Sequence, residues 1–221
     1  MDVAIRAVVF DIGGILETIP GGGDPTRLFP EMIAQWETRL GMGPGELGAR
    51  LTAMDERLKA AGKDGDIGTC SEAEWFEELR LVTGWEQAQV DAFMRDFWDV
   101  YCGHPNPELA AYFGGLRPRY QTAFLSNSFD GARREEEARY HLSDISDFII
   151  YSHEVGVSKP DPRIYELTCE RLGIQPDEMI FLDDSPGHIA AAREYGIHGV
   201  VFQDNAQAIA EIEALLAAHA V

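Results

Sequence analysis

The sequence predicts an α/β fold: a parallel sheet flanked by helices, with an all-helical unit inserted near the start of the chain. Three observations lead there. From residue 106 onward, strand-like and helix-like stretches alternate, the pattern of right-handed crossovers in a parallel sheet. Residues 17–103 break that rhythm and, after a glycine-rich turn at 20–23, show helical patterns only. Two short apolar runs also climb to an acid, Ala7-Val8-Val9-Phe10-Asp11 and Met179-Ile180-Phe181-Leu182-Asp183-Asp184. Such runs, rich in β-branched and aromatic residues, suit buried strands, whose C-terminal tips line the ligand crevice of open α/β sheets. Carboxylates gathered from distant strands repel one another unless a cation or a proton sits between them. A metal site is therefore the first expectation.

The elements follow in order. After the first strand comes a glycine-rich turn, Pro20-Gly21-Gly22-Gly23, and then helical periodicity over 26–40 and 44–61, stopped by Gly41 and Gly62. A third helix opens at Ser71-Glu72-Ala73-Glu74, a capping-box spacing in which each side chain satisfies an orphan amide, and ends before Gly84. A fourth, over 86–101, puts Val90, Phe93, Met94, Phe97 and Tyr101 on one face. An insertion of this kind reads as a small lid with Trp36, Trp75, Phe76, Phe93, Phe97 and Trp98 as its own core. The expected division is thus a core of 1–16 plus 104–221 and a helical cap of 17–103. The core continues as helix 107–116, strand 120–125, a charged helix 131–142 and strand 148–151. Helix 162–172 stops at Gly173, a C-terminal signal. Strand 179–182, helix 186–195, strand 199–202 and helix 206–218 complete the chain.

Composition narrows the partners. A formal net charge of −20, spread over both regions, argues against nucleic acid and anionic membrane surfaces, and the longest basic run is Arg133-Arg134. Cys70, Cys102 and Cys169 stand in no metal or redox spacing, which points to a reducing compartment and to small buried side chains. Arg6 and Asp11 interrupt the first apolar stretch, so it does not read as a signal peptide, and no run reaches membrane-spanning length. The expectation is a cytoplasmic enzyme, monomeric or homodimeric, acting on a small molecule.

Four stretches carry chemistry. Asp11-Ile12-Gly13-Gly14 joins an acid able to ligate metal or act as a nucleophile to glycines that let backbone amides approach an anion. Leu125-Ser126-Asn127-Ser128 offers a hydroxyl and an amide at a strand end, suited to a phosphoryl or carboxylate oxygen, although a turn or helix cap has the same composition. In Ser158-Lys159-Pro160-Asp161-Pro162, proline restrains the lysine backbone, and its ammonium could neutralise both a phosphate and a carboxylate. In Asp183-Asp184-Ser185, successive side chains face opposite ways. One acid can therefore coordinate while the other acts through water or orients Lys159. Asp184 or Ser185 also suits a helix N-cap.

In this order the residues resemble the haloacid dehalogenase-like hydrolase superfamily. Val8-Val9-Phe10-Asp11-Ile12-Gly13-Gly14-Ile15-Leu16 is similar to its first motif, Leu125-Ser126-Asn127 to its second and Ser158-Lys159-Pro160-Asp161-Pro162 to its third. Phe181-Leu182-Asp183-Asp184-Ser185, followed by Ala190-Ala191-Ala192 and Gly196, resembles the fourth. The likeness covers 4–16 and about 105–205, with the insert placed where the subgroup with a helical cap carries it. It implies a Rossmann-like core and Mg²⁺-dependent hydrolysis of a small phosphorylated metabolite through an aspartyl-phosphate. Asp11 would attack phosphorus and bind Mg²⁺ together with the Gly13 carbonyl. Asp184 would be the side-chain ligand, with Asp183 behind it or paired to Lys159, and the choice between these two acids stays open. Ser126, the Asn127 amide and Lys159 would hold the phosphoryl group, where stabilising negative charge is most of the catalytic work.

Gly13 departs from the pattern. Phosphatases of the family usually carry Asp there as general acid and base, and losing such a group lowers the rate by roughly 10²–10⁴. Glu17 and Asp24 are the nearest acids in sequence. Two other readings follow from this gap: a non-catalytic module binding a phosphate ligand, and a metal-independent 2-haloacid dehalogenase. The dehalogenases typically have an aromatic residue where Gly13 stands, and the adjacent acids Asp183-Asp184 look like the metal-binding version of the fourth motif.

Overall fold

The computed structural model describes residues 3–18 and 25–220; the turn Pro20–Gly23 and Asp24 lie outside them. Five parallel strands form the sheet: β1 (Ala7–Phe10), β4 (Gln121–Ser126), β5 (Phe148–Tyr151), β6 (Met179–Asp183) and β7 (His198–Val201). Their order is β5-β4-β1-β6-β7. The chain thus winds outward from β1 in one direction and then in the other, which places a topological switch point beside β1. Phe10 pairs with Phe124 on one side and Leu182 on the other, so Asp11, Ser126 and Asp183 emerge at one edge of the sheet.

The three central strands, β1, β4 and β6, are buried on both faces. Val8 and Phe10 join Phe124, Ile180 and Leu182 under helices α5 (Pro107–Gly115) and α11 (Asn205–Ala218). Ala7, Val9, Ala123, Leu125 and Phe181 face α9 (Pro162–Leu172) and α10 (Pro186–Glu194). Period-two alternation in a continuous apolar run therefore feeds two cores at once. All three cysteines are buried thiols. Among the described residues no helix is long and apolar enough to cross a membrane.

The insert comprises α1 (Pro25–Leu40), α2 (Glu46–Ala60), α3 (Glu72–Thr83) and α4 (Gln87–Cys102). They close on a separate core that includes Trp36, Leu47, Met54, Leu79, Phe93 and Trp98, with Trp75, Phe76 and Phe97 packed against it. The Ser71–Glu74 capping box forms as expected. At α2 the sequence offers no cap of its own. Instead Glu37, on α1, accepts hydrogen bonds from the amides of Gly45 and Leu47 at 2.8 and 2.9 Å.

Where the chain leaves and re-enters the core, β2 (Glu17–Thr18) and β3 (His104–Pro105) pair antiparallel, a ribbon that the sequence reading does not contain. Two-residue strands are too short to show a period. One expectation is corrected: the charged helix divides into α6 (Ala132–Tyr140) and α7 (Leu142–Ile145), since His141 adopts the left-handed conformation between them. A short helix, α8 (Ser152–Val155), leads into the Lys159 loop.

Candidate active site

Lys159 is the hub of the strand-tip edge. Its Nζ donates to Asp183 Oδ2 at 2.7 Å and lies 3.0 Å from Asp11 Oδ1, and its side chain is wholly buried. A buried ammonium is sustained only when it is paired, and here carboxylates from two adjacent strands share it. The lysine backbone is clamped in turn. Its N–H donates to Asn127 Oδ1, and Asn127 Nδ2 donates to its carbonyl, both at 2.8 Å. The Asn127 side chain thus holds the lysine loop, which the sequence did not reveal.

The two acids of the fourth stretch are clearly divided. Asp183 is fully buried and also accepts from the Ser185 amide at 2.8 Å and from His188 Nδ1 at 3.1 Å. Burial alone would raise its pKa. The His188 hydrogen bond and the Lys159 ammonium outweigh that effect and hold the carboxyl below its ordinary range. Asp184 is exposed and faces a cavity. Its carboxylate packs where a side chain at Gly14 would stand: a Cβ there would lie 2.4 Å from Asp184 Oδ2, at a φ of +72°. Glycine is required at 14 on both counts. Ser185 caps α10, accepting from the His188 amide.

Asp11 Oδ1 accepts from the Ile12 amide at 2.8 Å as well as facing Lys159. Among the described residues both contacts fall on Oδ1, which leaves Oδ2 for a ligand. Burial pushes the Asp11 pKa up to about 6; Lys159 opposes the shift and Asp183 adds to it. Asp11, Asp183 and Asp184 each bring an oxygen within 4.8 Å of the others. Oxygens on an ion with bonds of about 2.1 Å stand roughly 3 to 4 Å apart, so hard carboxylate donors at this spacing fit Mg²⁺ with small adjustment.

In front of these groups lies a cavity of about 360 Å³, floored by Asp11, Gly13, Ser126, Asn127 and Asp184 and walled by Phe29, Val100 and Tyr101 of the insert. Its size suits a small ligand. Another cavity, of about 260 Å³, lies mainly within the insert among Trp75, Phe76, Phe97, Trp98 and Phe129, and none of the strand-tip groups lines it. Phe129 follows the Ser126 loop and stacks on Trp98 with ring centres 5.2 Å apart, tying that loop to the insert.

Two further acids belong to this region. Glu17, on β2, lines the larger cavity. Burial first, and then the charges of Glu136 and Asp11, push its pKa well above the usual carboxylate range. Glu136, on α6, is fully buried and accepts from the Tyr151 hydroxyl; burial raises it to about 7. The Oε1 atoms of both acids lack a hydrogen-bond partner among the described residues. Sequence reading named Glu17 without placing it and missed Glu136. The available signal was its phase, since Ala132, Glu136 and Tyr140 recur every four residues on one helix face.

A family model for haloacid dehalogenase-like hydrolases matches residues 5–196. The chain is similar to bifunctional epoxide hydrolase 2 of Sus scrofa, with 27% identity in an alignment that covers 96% of this chain. It spans 39% of that relative's length. A solved HAD family enzyme from Bacteroides thetaiotaomicron, in complex with magnesium and inorganic phosphate, matches with a TM-score of 0.70 and 20% identity over 93% of this chain and 99% of that one. A 2-haloacid dehalogenase from Pseudomonas syringae pv. Tomato DC3000 matches with a TM-score of 0.64 and 18% identity over 97% and 99%. At these identities the structural likeness establishes the fold.

Proposed function

The chain belongs to the haloacid dehalogenase-like hydrolase family, and we propose that within it the protein is a Mg²⁺-dependent phosphatase of a small phosphorylated metabolite. The observation that carries this reading is the division of labour between Asp183, buried and bound to Lys159, and Asp184, exposed beside Asp11 in the cavity. A pair of carboxylates with open oxygens is a cation site, and a metal-independent dehalogenase has no use for one. Asp11, Asp184 and the Gly13 carbonyl would hold Mg²⁺, whose charge offsets that of the substrate phosphate. Asp183 supports the site by orienting Lys159.

The protein's own groups then divide the work. Asp11 Oδ2 attacks phosphorus and forms the aspartyl-phosphate. Lys159 has three N–H groups, two of them engaged by Asp183 and Asp11; the third would serve a phosphoryl oxygen brought against Asp11. Ser126 and the Asn127 backbone amide complete the cradle. Residues 17–103 act as a cap whose apolar wall covers the substrate. The magnesium and phosphate complex of the Bacteroides enzyme supports this reading on the same fold.

Hydrolysis of p-nitrophenyl phosphate tests it. Phosphate release should require Mg²⁺, stop with EDTA, and fall at least about 10³-fold in Asp11→Asn. Chloride release from a 2-chloro acid in EDTA would instead establish the dehalogenase. Binding of phosphorylated ligands with no turnover across a broad panel would establish a binding module.

A further inference from the structure

We propose that Glu17 is the general acid and base of this site, supplying the proton chemistry for which Gly13 has no side chain. The inference rests on the phosphatase reading above and deepens it. Glu17 lines the same cavity as Asp11, Ser126 and Asp184. Its side chain is nine-tenths buried, at 6% exposure, and its Oε1 has no hydrogen-bond partner among the described residues. Buried polar atoms are nearly always satisfied, so Glu17 brings to the cavity a carboxyl group that the surrounding protein does not fully engage.

Glu17 is also held rigidly to the nucleophile's loop. Its amide donates to the Ile12 carbonyl at 3.2 Å, a β-bridge joins it to Gly13, and β3 pairs along its other side. The space it would reach across is open, because a Cβ built on Gly13 meets nothing within 4 Å. A longer side chain anchored four residues on can serve a leaving group beside Gly13.

The chemistry balances. As Asp11 forms its bond to phosphorus, the bond from phosphorus to the leaving oxygen breaks, and that oxygen takes the Glu17 proton to depart as the alcohol. The Glu17 carboxylate then takes a proton from water as the water oxygen bonds to phosphorus. The Asp11–phosphorus bond breaks, inorganic phosphate leaves, and both acids return to their starting states.

A series of aryl phosphates separates this role from a structural one. Nitrophenolate leaves readily without a proton, whereas phenolate and p-methoxyphenolate need one. In Glu17→Gln, kcat/KM for phenyl and p-methoxyphenyl phosphate should fall about 10²-fold or more, and the fall in kcat/KM should shrink steeply as the leaving group improves to p-nitrophenolate. Gly13→Asp added to that variant, placing a carboxyl in the open space, should restore part of the loss. If Glu17→Gln does not fold, as read by circular dichroism, Glu17→Ala assayed with and without formate replaces it, and rescue confined to the poor leaving groups is the expected result. Equal losses across the series, no loss, or no formate rescue would overturn the role of Glu17 while leaving the phosphatase intact. A wild type with no Mg²⁺-dependent, Asp11-dependent phosphate release would overturn both.

Discussion

At the strand tips, Lys159 stands between Asp183 and Asp11, and every oxygen of Asp183 is hydrogen-bonded. At the foot of the insert, Glu17 and Glu136 are buried with neither in an ion pair among the described residues and one oxygen of each unpartnered. Both clusters are acidic and both reach the same end of the sheet. The first is compensated: Lys159 and His188 hold Asp183 as an anion, its pKa below the ordinary range, and Lys159 limits the rise that burial gives Asp11 to about 6. The second is uncompensated, so its carboxyls bind protons more tightly than free acids do. A hydrolase that must both position charge and move a proton needs the two kinds of environment side by side.

The largest effect should come from breaking the compensated cluster. Lys159→Ala leaves Asp183 and Asp11 without their cation, and removing one partner of a buried pair costs about 3–5 kcal/mol. Urea denaturation should show that loss. Adding Asp183→Asn to Lys159→Met should recover part of it, because the more deeply buried of the two uncompensated charges is then gone.

The uncompensated cluster should respond with the opposite sign. Glu136 moves from its ordinary 4.5 to about 7 on folding. As pH rises past 4.5 the unfolded chain loses this proton while the native protein keeps it until about 7. Stability therefore falls across that window, by an amount on the order of 3 kcal/mol that is complete above it. Glu136→Gln should match wild type at pH 4 and be the more stable protein at pH 8, measured by urea midpoints. A variant less stable than wild type at both pH values would show that the carboxylate has a compensating partner.

The smallest effect sharpens the geometry at the metal-binding edge. Gly14→Ala should cost about 1–2 kcal/mol through its left-handed backbone and contact with Asp184. It should also weaken Mg²⁺ activation of p-nitrophenyl phosphate hydrolysis by about 10- to 100-fold, as displaced ligands do. Gly13→Ala, which meets open space, should change thermal stability by less than about 0.5 kcal/mol. Equal Mg²⁺ responses in the two variants would remove Asp184 from the metal site.

Much of this arrangement was legible in the chain. Asp11 and Asp183 end runs whose composition marks buried strands, Ser126 closes a strand before a turn sequence, Lys159 sits in a proline-marked loop, and the Ser71–Glu74 box caps its helix as its spacing requires. These are local signals, since a strand's alternation or a helix cap is decided within a few residues. The hidden features are pairings across long separations. Asn127 clamps a lysine loop 32 residues away, Glu37 of one helix caps the next, and the ribbon of β2 and β3 joins residues on either side of the whole insert.

The chain alone specified the five strands of the main sheet, the longer helices, the helical insertion and the set of polar residues delivered to one edge of the sheet. Backbone periodicity, turn chemistry and capping fix those within each segment. Only the tertiary structure decided which acid of Asp183 and Asp184 is tied to Lys159, and that Glu17 and Glu136 are buried without a cation. A carboxyl's state depends on what lies within a few ångströms of it in space, and that is set when distant segments pack.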